Sequence, residues 1–371
     1  MKFFTFPDQN QSLVKHPVAM LKLAFRSLPV AVARSNVRYA RKYATEGTLK
    51  SVFTSTPLGQ DSTVETNIKS DTNRLAKTLS KFWEKVSVGH DGATGAYQIQ
   101  LDGKTIKTPL GFPMELPGTK KQLAYLISHE WANLPDLKIK THSLPLTSIT
   151  ARAIDLTNCH QGKDVDPDLV TKVGNLQDIK HNMLRYFDTD TCLILATHKE
   201  YHGKLRQKQD ELYMALIKEF EDFFTVYGKK HNLLPSADYR VKIEYLDCET
   251  DGLRGNEQNA ITQKIVLHWM DQLSMYDLVA LEKAILTSKS FLCGASLLRS
   301  NCSDTETMKD LYQVNKSGVD DYFHKTIEEI VELGNLETIF QTEEWGEVED
   351  THDVDKVDWL RNLTAAALLC H

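Results

Sequence analysis

Two antiparallel strands joined by a tight turn are predicted by residues 97–108, YQIQLDGKTIKT. Apolar and polar residues alternate from Tyr97 to Leu101, which is the two-residue period of a strand with one buried face. Asp102 and Gly103 follow at once, and this pair favours a two-residue hairpin turn because both of its positions need a positive φ. The residues after the glycine supply the return strand. We therefore expect a small antiparallel sheet at this point of the chain.

Helices are predicted directly after the sheet. Thr119 is expected to cap a helix that extends to Asn133, since apolar residues recur there at three- and four-residue spacing. A second helix is expected over residues 147–156. Together with the sheet, these helices indicate an N-terminal α/β domain that covers residues 79–162.

The remainder, residues 163–371, is predicted to be a helical domain. The expected helices cover residues 168–186, 210–227, 261–298 and 319–345, the last broken at Gly334-Asn335. Residues 261–298 are apolar on several sides, as in the centre of a bundle. A brief strand is expected within residues 189–197, and the polar residues 229–259 indicate a surface insertion. The predicted fold class is α+β, with a small N-terminal domain of antiparallel sheet and helices followed by a mainly α-helical bundle domain.

The N-terminal residues have the composition of a mitochondrial presequence. Between Gln9 and Thr45 there is no acidic residue, whereas lysines and arginines recur among apolar residues. An amphipathic, arginine-containing and acid-poor N-terminus is typical of matrix targeting, because the membrane potential draws such a cation inward. We interpret residues 1–45 as a presequence and the polar residues 46–78 as a flexible linker. A disordered basic tail is the alternative interpretation of the first segment.

Charge and cysteine content argue against several classes of protein. Without residues 1–45 the chain has 36 basic and 49 acidic residues, a formal net charge of −13. Such a protein is a poor candidate for nucleic-acid binding, which depends on lysine and arginine clusters. No apolar run approaches the roughly 20 residues needed to cross a bilayer, so we expect a protein that is peripheral to a membrane at most. Six scattered cysteines favour a reducing compartment.

No catalytic or metal-binding motif stands out. Phosphate-binding glycine loops and the G-x-S-x-G elbow are absent from the sequence, so nothing points to an enzyme, a cofactor or a metal. His198 and His202 have i, i+4 spacing without a third ligand nearby, which favours a solvated pair over a zinc site. Asp188 and Asp190 are the carboxylates on which an enzyme hypothesis rests. A turn or a helix cap is the structural alternative for both.

An acidic segment near the C-terminus is the most unusual feature. Residues 328–358 contain twelve acidic residues and one basic residue, with Phe340 and Trp345 among them. A partner surface is one interpretation, because carboxylates steer a protein partner while apolar groups contact it. A solvated face over an ordinary core is the other. Composition alone does not separate the two.

Seven segments, in order, resemble the mitochondrial and proteobacterial F1-ATPase assembly chaperones that act on the α subunit, and the longer stretches near 157–180 and 229–259 resemble fungal members. The segments are FWEKV (82–86), LDGKTIKTP (101–109), ISHEW (127–131), LPLT through AID (144–155), RYFDTDT (185–191), YDLVALE (276–282) and LE through FQ to WG (336–346). Trp83 departs from the family, which usually has tyrosine there. The resemblance runs over nearly the whole chain beyond the linker.

The resemblance implies a monomeric chaperone of the mitochondrial matrix with no cofactor. Its partner is expected to be the unassembled F1 α subunit, which it holds until the β subunit replaces it. The functionally important glutamate of the family corresponds to Glu337, and Glu343 and Glu347 are expected to contact the same client. The alternative for Glu337 is a cap or an ion pair within the bundle.

The resemblance also implies a structural family motif. Its residues are Asp102, Gly103, Trp131, Asp188, Trp345 and Gly346. Both tryptophans are expected to pack in the core. Two competing hypotheses stay open: an enzyme that uses Asp188 and Asp190, and a permanent structural subunit of a matrix complex. A deep pocket with close titratable groups favours the enzyme, and a broad shallow surface favours the chaperone.

Overall fold

The computed structural model describes residues 81–134, 143–161, 167–252, 254–316, 322–348 and 352–371. The predicted presequence, residues 1–45, and the predicted linker, residues 46–78, lie outside these ranges. All of the described residues belong to one compact unit, Asp71–His371. A boundary between two domains near residue 162 stays a prediction.

The predicted hairpin forms the centre of an antiparallel sheet that has four strands within the described residues. The strands are β1 (Val86–His90), β2 (Tyr97–Leu101), β3 (Lys104–Thr105) and β4 (Glu115–Leu116). β2 pairs with β1 along one edge, with Val86 opposite Leu101, and with β3 and β4 in succession along the other. Asp102 and Gly103 have φ values of 48° and 79°, as the predicted turn requires.

Helices make up most of the chain beyond the sheet. They are α1 (Lys121–Ala132), α2 (Pro145–Gln161), α3 (Pro167–Val173), α4 (Leu176–Asp188), α5 (Lys204–Lys230), α6 (Ala260–Asp271), α7 (Met275–Ser288), α8 (Phe291–Asn301), α9 (Thr305–Asp310), α10 (Ile327–Trp345) and α11 (His352–Cys370). Short 3-10 turns cover Gly118–Lys120, Thr191–Leu193 and Glu200–Gly203, and β5 (Ile194–Leu195) pairs in parallel with β6 (Leu246–Asp247). The α+β fold class is confirmed.

The centre of the bundle is formed by α7 and α8. Residues Phe291 to Ser300 of α8 are all buried, and α7 packs against α8, α11 and α2. The fully buried Trp269 of α6 makes edge-to-face contacts with Phe223 and Phe224 of α5. Large aromatic side chains contribute much of the apolar area that stabilises such a core. The predicted central helices over residues 261–298 are therefore present, divided among α6, α7 and α8.

The sheet and the bundle share one hydrophobic core, because α2 lies between them. Ile99 of the sheet and Ile285 of α7 belong to the same buried cluster, to which α2 contributes Leu156. On the outer side of α2, Arg152 donates two hydrogen bonds to Glu282 of α7, at 2.6 and 2.7 Å. A bidentate pair of this kind fixes the orientation of the two helices as well as their distance.

Several helix boundaries differ from the sequence prediction. The helix predicted over residues 319–345 begins only at Ile327. The helix expected over residues 168–186 is divided into α3 and α4, because Gly174 has a φ of 97° and the Asn175 side chain accepts a hydrogen bond from the N–H of Gln177. Thr119 lies inside a 3-10 turn and does not cap α1, which begins at Lys121 without a side-chain cap.

The predicted surface insertion at residues 229–259 is largely irregular, as expected, but part of it is buried. Val241 and Ile243 of this segment are almost completely buried. Their N–H groups donate to side chains of α5, at 2.9 Å to Thr225 Oγ1 and at 3.0 Å to Glu221 Oε1. These two apolar residues alternate with lysine and arginine and pack on the core. The polar composition of the segment as a whole therefore does not indicate their burial.

The predicted break at Gly334-Asn335 is wrong, since α10 continues without interruption from Ile327 to Trp345. A Cβ atom added to Gly334 would lie 2.9 Å from Cζ3 of Trp359 in α11. The glycine therefore allows two helices to approach closely and does not end one. The helix α11 itself was not predicted from the sequence.

Candidate functional site

The helix α10 has a buried half and an exposed half. A capping box starts the helix, in which Thr326 accepts a hydrogen bond from the N–H of Glu329 and the Glu329 carboxylate accepts one from the N–H of Thr326. The residues of the first half that face the core are Ile330, Leu333 and Leu336. From residue 337 the helix has only half-buried and exposed positions, and it ends at Trp345, next to Gly346 with a φ of 84°. The predicted acidic segment thus includes a helix that the core holds at one end.

Aromatic residues cluster on the exposed half of α10. The ring of Tyr201 lies 6.1 Å from that of Phe340 and 5.8 Å from that of Trp345, centroid to centroid. Trp345 is 74% exposed and Val348 is 59% exposed. The expectation that Trp345 packs in the core is therefore wrong. Large apolar side chains grouped at the surface of a protein are typical of an interaction site.

The backbone under Tyr201 is held in an uncommon conformation. Tyr201 and His202 have φ values of 47° and 56°, a region that side-chain-bearing residues rarely adopt. Such backbone strain costs on the order of 1–3 kcal/mol per residue and is found preferentially at functional sites. His198 and His202 therefore do not share a helical face, and the His198 side chain instead pairs with Glu249.

Carboxylates surround the aromatic cluster. Glu337, Glu343, Glu344 and Glu347 are exposed, and none of them forms a salt bridge with a described residue. Glu337 accepts a hydrogen bond from Gln341 Nε2 at 3.0 Å, and the Gln341 side chain also reaches the Tyr201 hydroxyl. Partial burial, together with the nearby Glu337 charge, raises the pKa of Tyr201. We call Tyr201, Glu337, Phe340, Glu343, Glu344, Trp345, Glu347 and Val348 the α10 surface.

A polar cluster lies underneath the buried half of α10. Asp190 is fully buried, and its carboxylate accepts hydrogen bonds from the N–H groups of Cys192 and Leu292, at 2.8 and 2.9 Å. Burial raises the pKa of Asp190 to about 6. The thiols of Cys192 and Cys293 lie 3.7 Å apart, and the Tyr213 hydroxyl donates to the carbonyl of Leu333 at 2.8 Å. The Tyr213 hydroxyl and the two thiols, which donate to the carbonyls of Leu333 and Ile330, fix the first half of α10 onto the bundle.

Both carboxylates of the enzyme hypothesis accept hydrogen bonds from backbone N–H groups. Asp190 satisfies backbone groups at the start of α8, as described above. Asp188, at the end of α4, accepts a hydrogen bond from the N–H of Gln258 at 2.9 Å. Both therefore have the structural role that turns and caps give to aspartate.

The remaining motif residues lie around the sheet. The Asp102 carboxylate accepts a hydrogen bond from the Lys85 N–H at 2.8 Å, which ties the hairpin turn to the start of β1. Trp131 is half-buried, packs edge-on against Trp83 at 5.3 Å and donates from Nε1 to Thr147 at 3.1 Å. Beside it, the Glu130 carboxylate accepts hydrogen bonds from N–H groups at the start of α2. These residues join sheet, α1 and α2, far along the chain from the α10 surface.

Neither a metal-binding cluster nor a membrane-spanning helix occurs among the described residues. No group of three or more His, Cys, Asp or Glu side chains among the described residues has the arrangement of a metal site. None of the helices that the structure describes has the length and apolarity needed to span a bilayer.

Comparison with known proteins identifies the family. Residues 80–221 match the family described as ATP12 chaperone protein. The chain is 46% identical to the mitochondrial protein ATP12 of Saccharomyces cerevisiae over 313 residues. This alignment covers 84% of this chain and 90% of the yeast protein. The chain belongs to the ATP12 chaperone family. The mitochondrial protein atp12 of Schizosaccharomyces pombe is 28% identical over 292 residues, 79% of this chain and 82% of that protein.

The fold of the ATP12 family is found in solved structures as well. The crystal structure of Atp12 from Paracoccus denitrificans superposes with a TM-score of 0.51 at 18% identity, over 80% of this chain and 98% of that one. Membership of the ATP12 family confirms the chaperone class predicted from the sequence. The names of both fungal relatives confirm the predicted mitochondrial location.

The sequence identified part of the α10 surface. Phe340, Trp345 and the glutamates were recognised as an acidic segment with embedded apolar residues. Tyr201 was missed, because it reaches the surface only through a contact between residues about 140 positions apart in the chain. Its one local signal is the Tyr201-His202-Gly203 turn, in which the glycine takes a φ of 79°.

Proposed function

We propose that this ATP12-family chain assists assembly of the F1 sector of ATP synthase in the mitochondrial matrix. It binds the unassembled F1 α subunit through the α10 surface and releases it when the β subunit takes its place. It acts as a monomer and catalyses no reaction. The observation that carries the proposal is a group of carboxylates that form no salt bridge with a described residue. They lie on α10 beside the exposed Trp345 and the half-buried rings of Phe340 and Tyr201.

The physical requirements of such a chaperone match the α10 surface. An unassembled subunit exposes an apolar interface that otherwise aggregates. A chaperone that must later release it needs a moderate and partly polar surface, since large apolar interfaces are characteristic of permanent complexes. Trp345 and Phe340 supply apolar contact, and Glu337, Glu343 and Glu347 favour a client with basic groups near its interface and exclude acidic ones.

The structural roles of Asp188 and Asp190 support the proposal that the protein catalyses no reaction. Both accept hydrogen bonds from backbone N–H groups, and Asp190 is completely enclosed. A general acid or base must lie within hydrogen-bond reach of its substrate. These two side chains instead stabilise the connections between α4, α6 and α8.

Charge reversal at Glu337 tests the client contact. Glu337→Lys is expected to fold with an unchanged melting temperature, because the side chain is exposed, and to retain at least fivefold less α subunit in co-purification from matrix extract. Glu332→Lys is the matched control: it reverses an exposed charge on the same helix, outside the α10 surface, and should retain the α subunit normally.

Three outcomes contradict the proposal. Equal retention of the α subunit by Glu337→Lys and by the unchanged chain removes Glu337 from the contact. A joint loss of folding and binding assigns Glu337 a structural role. Recovery of the chain in stoichiometric amounts with fully assembled F1 identifies a permanent subunit and not a chaperone.

A further inference from the structure

A groove between the helices α2, α7 and α11 has the features of a second binding site. Between α2, α7 and α11 lies a cavity of about 380 Å³, whose apolar wall includes Ile149, Val279 and Ala365. Leu286, which is 46% exposed, lines this cavity and also a neighbouring one of about 410 Å³ that α4 borders with Arg185 and Tyr186. The two cavities therefore meet at Leu286. We call the residues that line them the Leu286 groove.

Cations are in excess along the groove. Lys283 is half-buried and lines the first cavity, but its ammonium group forms no hydrogen bond or salt bridge with a described residue. Arg152 and Arg361 are already neutralised, by Glu282 and Asp358 respectively. On the side of α4, Arg185 lines the second cavity, and Lys289 lies 5.9 Å from the Tyr186 ring.

The environment of Lys283 favours an added negative charge. Burial, and after it the positive charge of Arg361, lowers the pKa of Lys283, while the carboxylates of Asp358 and Glu282 oppose this effect. An ammonium group that is partly withdrawn from water and has no direct partner is stabilised by a carboxylate that reaches it.

We propose that the Leu286 groove binds an acidic segment of a partner protein that also carries aliphatic side chains. An aliphatic side chain of the segment fills the cavity against Ile149 and Val279, and a carboxylate pairs with Lys283. A further carboxylate meets Arg185 beyond Leu286. The proposal follows from charge complementarity, because the groove carries Lys283 and Arg185, which form no salt bridge with a described residue, on a chain whose residues 46–371 have a net charge of −13. It is independent of the α10 surface, which has the opposite charge.

Binding of a designed peptide to the full chain tests the proposal. The probe is a fluorescein-labelled peptide, Glu-Leu-Glu-Ala-Leu-Glu, with one leucine replaced by a photo-crosslinking aliphatic analogue. We expect saturable binding in fluorescence anisotropy and crosslinks to α2 and α7. Lys283→Gln should weaken binding about tenfold, since it leaves a carboxylate unpaired beside an apolar wall. Leu286→Ala should weaken it about threefold.

The controls separate the groove from general charge attraction. Lys218→Gln removes an exposed lysine of α5 that has no salt bridge among the described residues, and it should leave the affinity unchanged. A peptide with glutamine in place of glutamate should bind the unchanged chain at least tenfold more weakly, a comparison that does not depend on the folding of any variant.

Four results overturn the proposal. The first is the absence of saturable binding up to about 1 mM peptide, the range of the weakest specific contacts. The second is equal affinity of the unchanged chain and a folded Lys283→Gln variant. The third is crosslinking to residues 1–45 alone, which assigns the binding to the basic N-terminal segment. The fourth is a dimer in analytical ultracentrifugation that Lys283→Gln abolishes, which identifies a second copy of this chain as the occupant.

Discussion

The two halves of the continuous helix α10 have different roles. In the first half, Ile330, Leu333 and Leu336 are nearly inaccessible and lie over a hydrogen-bonded polar cluster. In the second half, Glu337 is exposed and Trp345 is 74% exposed. The comparison shows that the surface proposed to bind the client lies on a helix whose position is fixed by the contacts of its other half. Substitutions in the first half should therefore change stability, and substitutions in the second half should change binding.

The largest effect is expected at Leu333. Leu333→Ala removes a buried side chain from the interface between α10 and the bundle, and it should lower the free energy of unfolding by about 2–5 kcal/mol. Chemical denaturation measures the change. A loss below about 0.5 kcal/mol, the size usual for surface positions, would show that the first half of α10 is not anchored as described.

A pH effect of similar size is expected from Asp190 under the same half of the helix. Its folded-state pKa of about 6 lies above the ordinary value, so the folded protein binds a proton that the unfolded chain has released. The stabilisation is present below about pH 4 and is lost as the pH rises through about 6, a change of about 3 kcal/mol.

The comparison of the unchanged chain with Asp190→Asn isolates this effect from other titrating groups. Urea denaturation at each pH gives the free energy of unfolding of both proteins. From pH 4 to pH 7 the unchanged chain should lose stability relative to Asp190→Asn. A difference that stays constant over this range would show that Asp190 does not titrate as its burial implies.

The exposed half of α10 should behave in the opposite way. Trp345→Ala is expected to change the free energy of unfolding by less than about 0.5 kcal/mol. The same substitution should weaken the affinity for the purified F1 α subunit about tenfold, because exposed tryptophans carry a large part of the energy of an interface. Titration calorimetry measures the second quantity. A strongly destabilised variant with normal affinity would reverse the assignment.

The smallest effect is expected at Gly334, within the buried first half of α10. Gly334→Ala brings a Cβ atom to 2.9 Å from Trp359, a steric overlap that destabilises the fold. Alanine also favours the helix over glycine by roughly 1 kcal/mol, but the overlap costs more. We expect a net loss of about 1 kcal/mol. Asn335→Ala is the matched control, with equal or higher stability, and a stabilising Gly334→Ala would contradict the close approach of α10 and α11.

The sequence predicted those parts of the fold that local patterns determine. The hairpin at Asp102-Gly103 follows from a turn preference, and α5 follows from apolar residues on one face. Contacts distant in the chain were predicted less well. The break expected at Gly334 fails because only Trp359, in another helix, explains the glycine.

The candidate site was predicted in the same uneven way. The acidic segment and Glu337 could be recognised from composition and resemblance, and their binding role stays a prediction. The prediction that Trp345 is buried was wrong, because a tryptophan among glutamates fits either environment. The position of Tyr201 depends on the two positive φ angles of its turn, which no residue type except glycine indicates.

Hydrogen exchange of the chain with and without the purified F1 α subunit tests the central claim most directly. The backbone amides of residues 338–346 and 200–203 should exchange more slowly when the α subunit is bound, because both segments become part of the interface. The amides of the buried first half of α10 should remain unchanged. Slower exchange elsewhere, with none at residues 338–346, would contradict the assignment of this surface to the client.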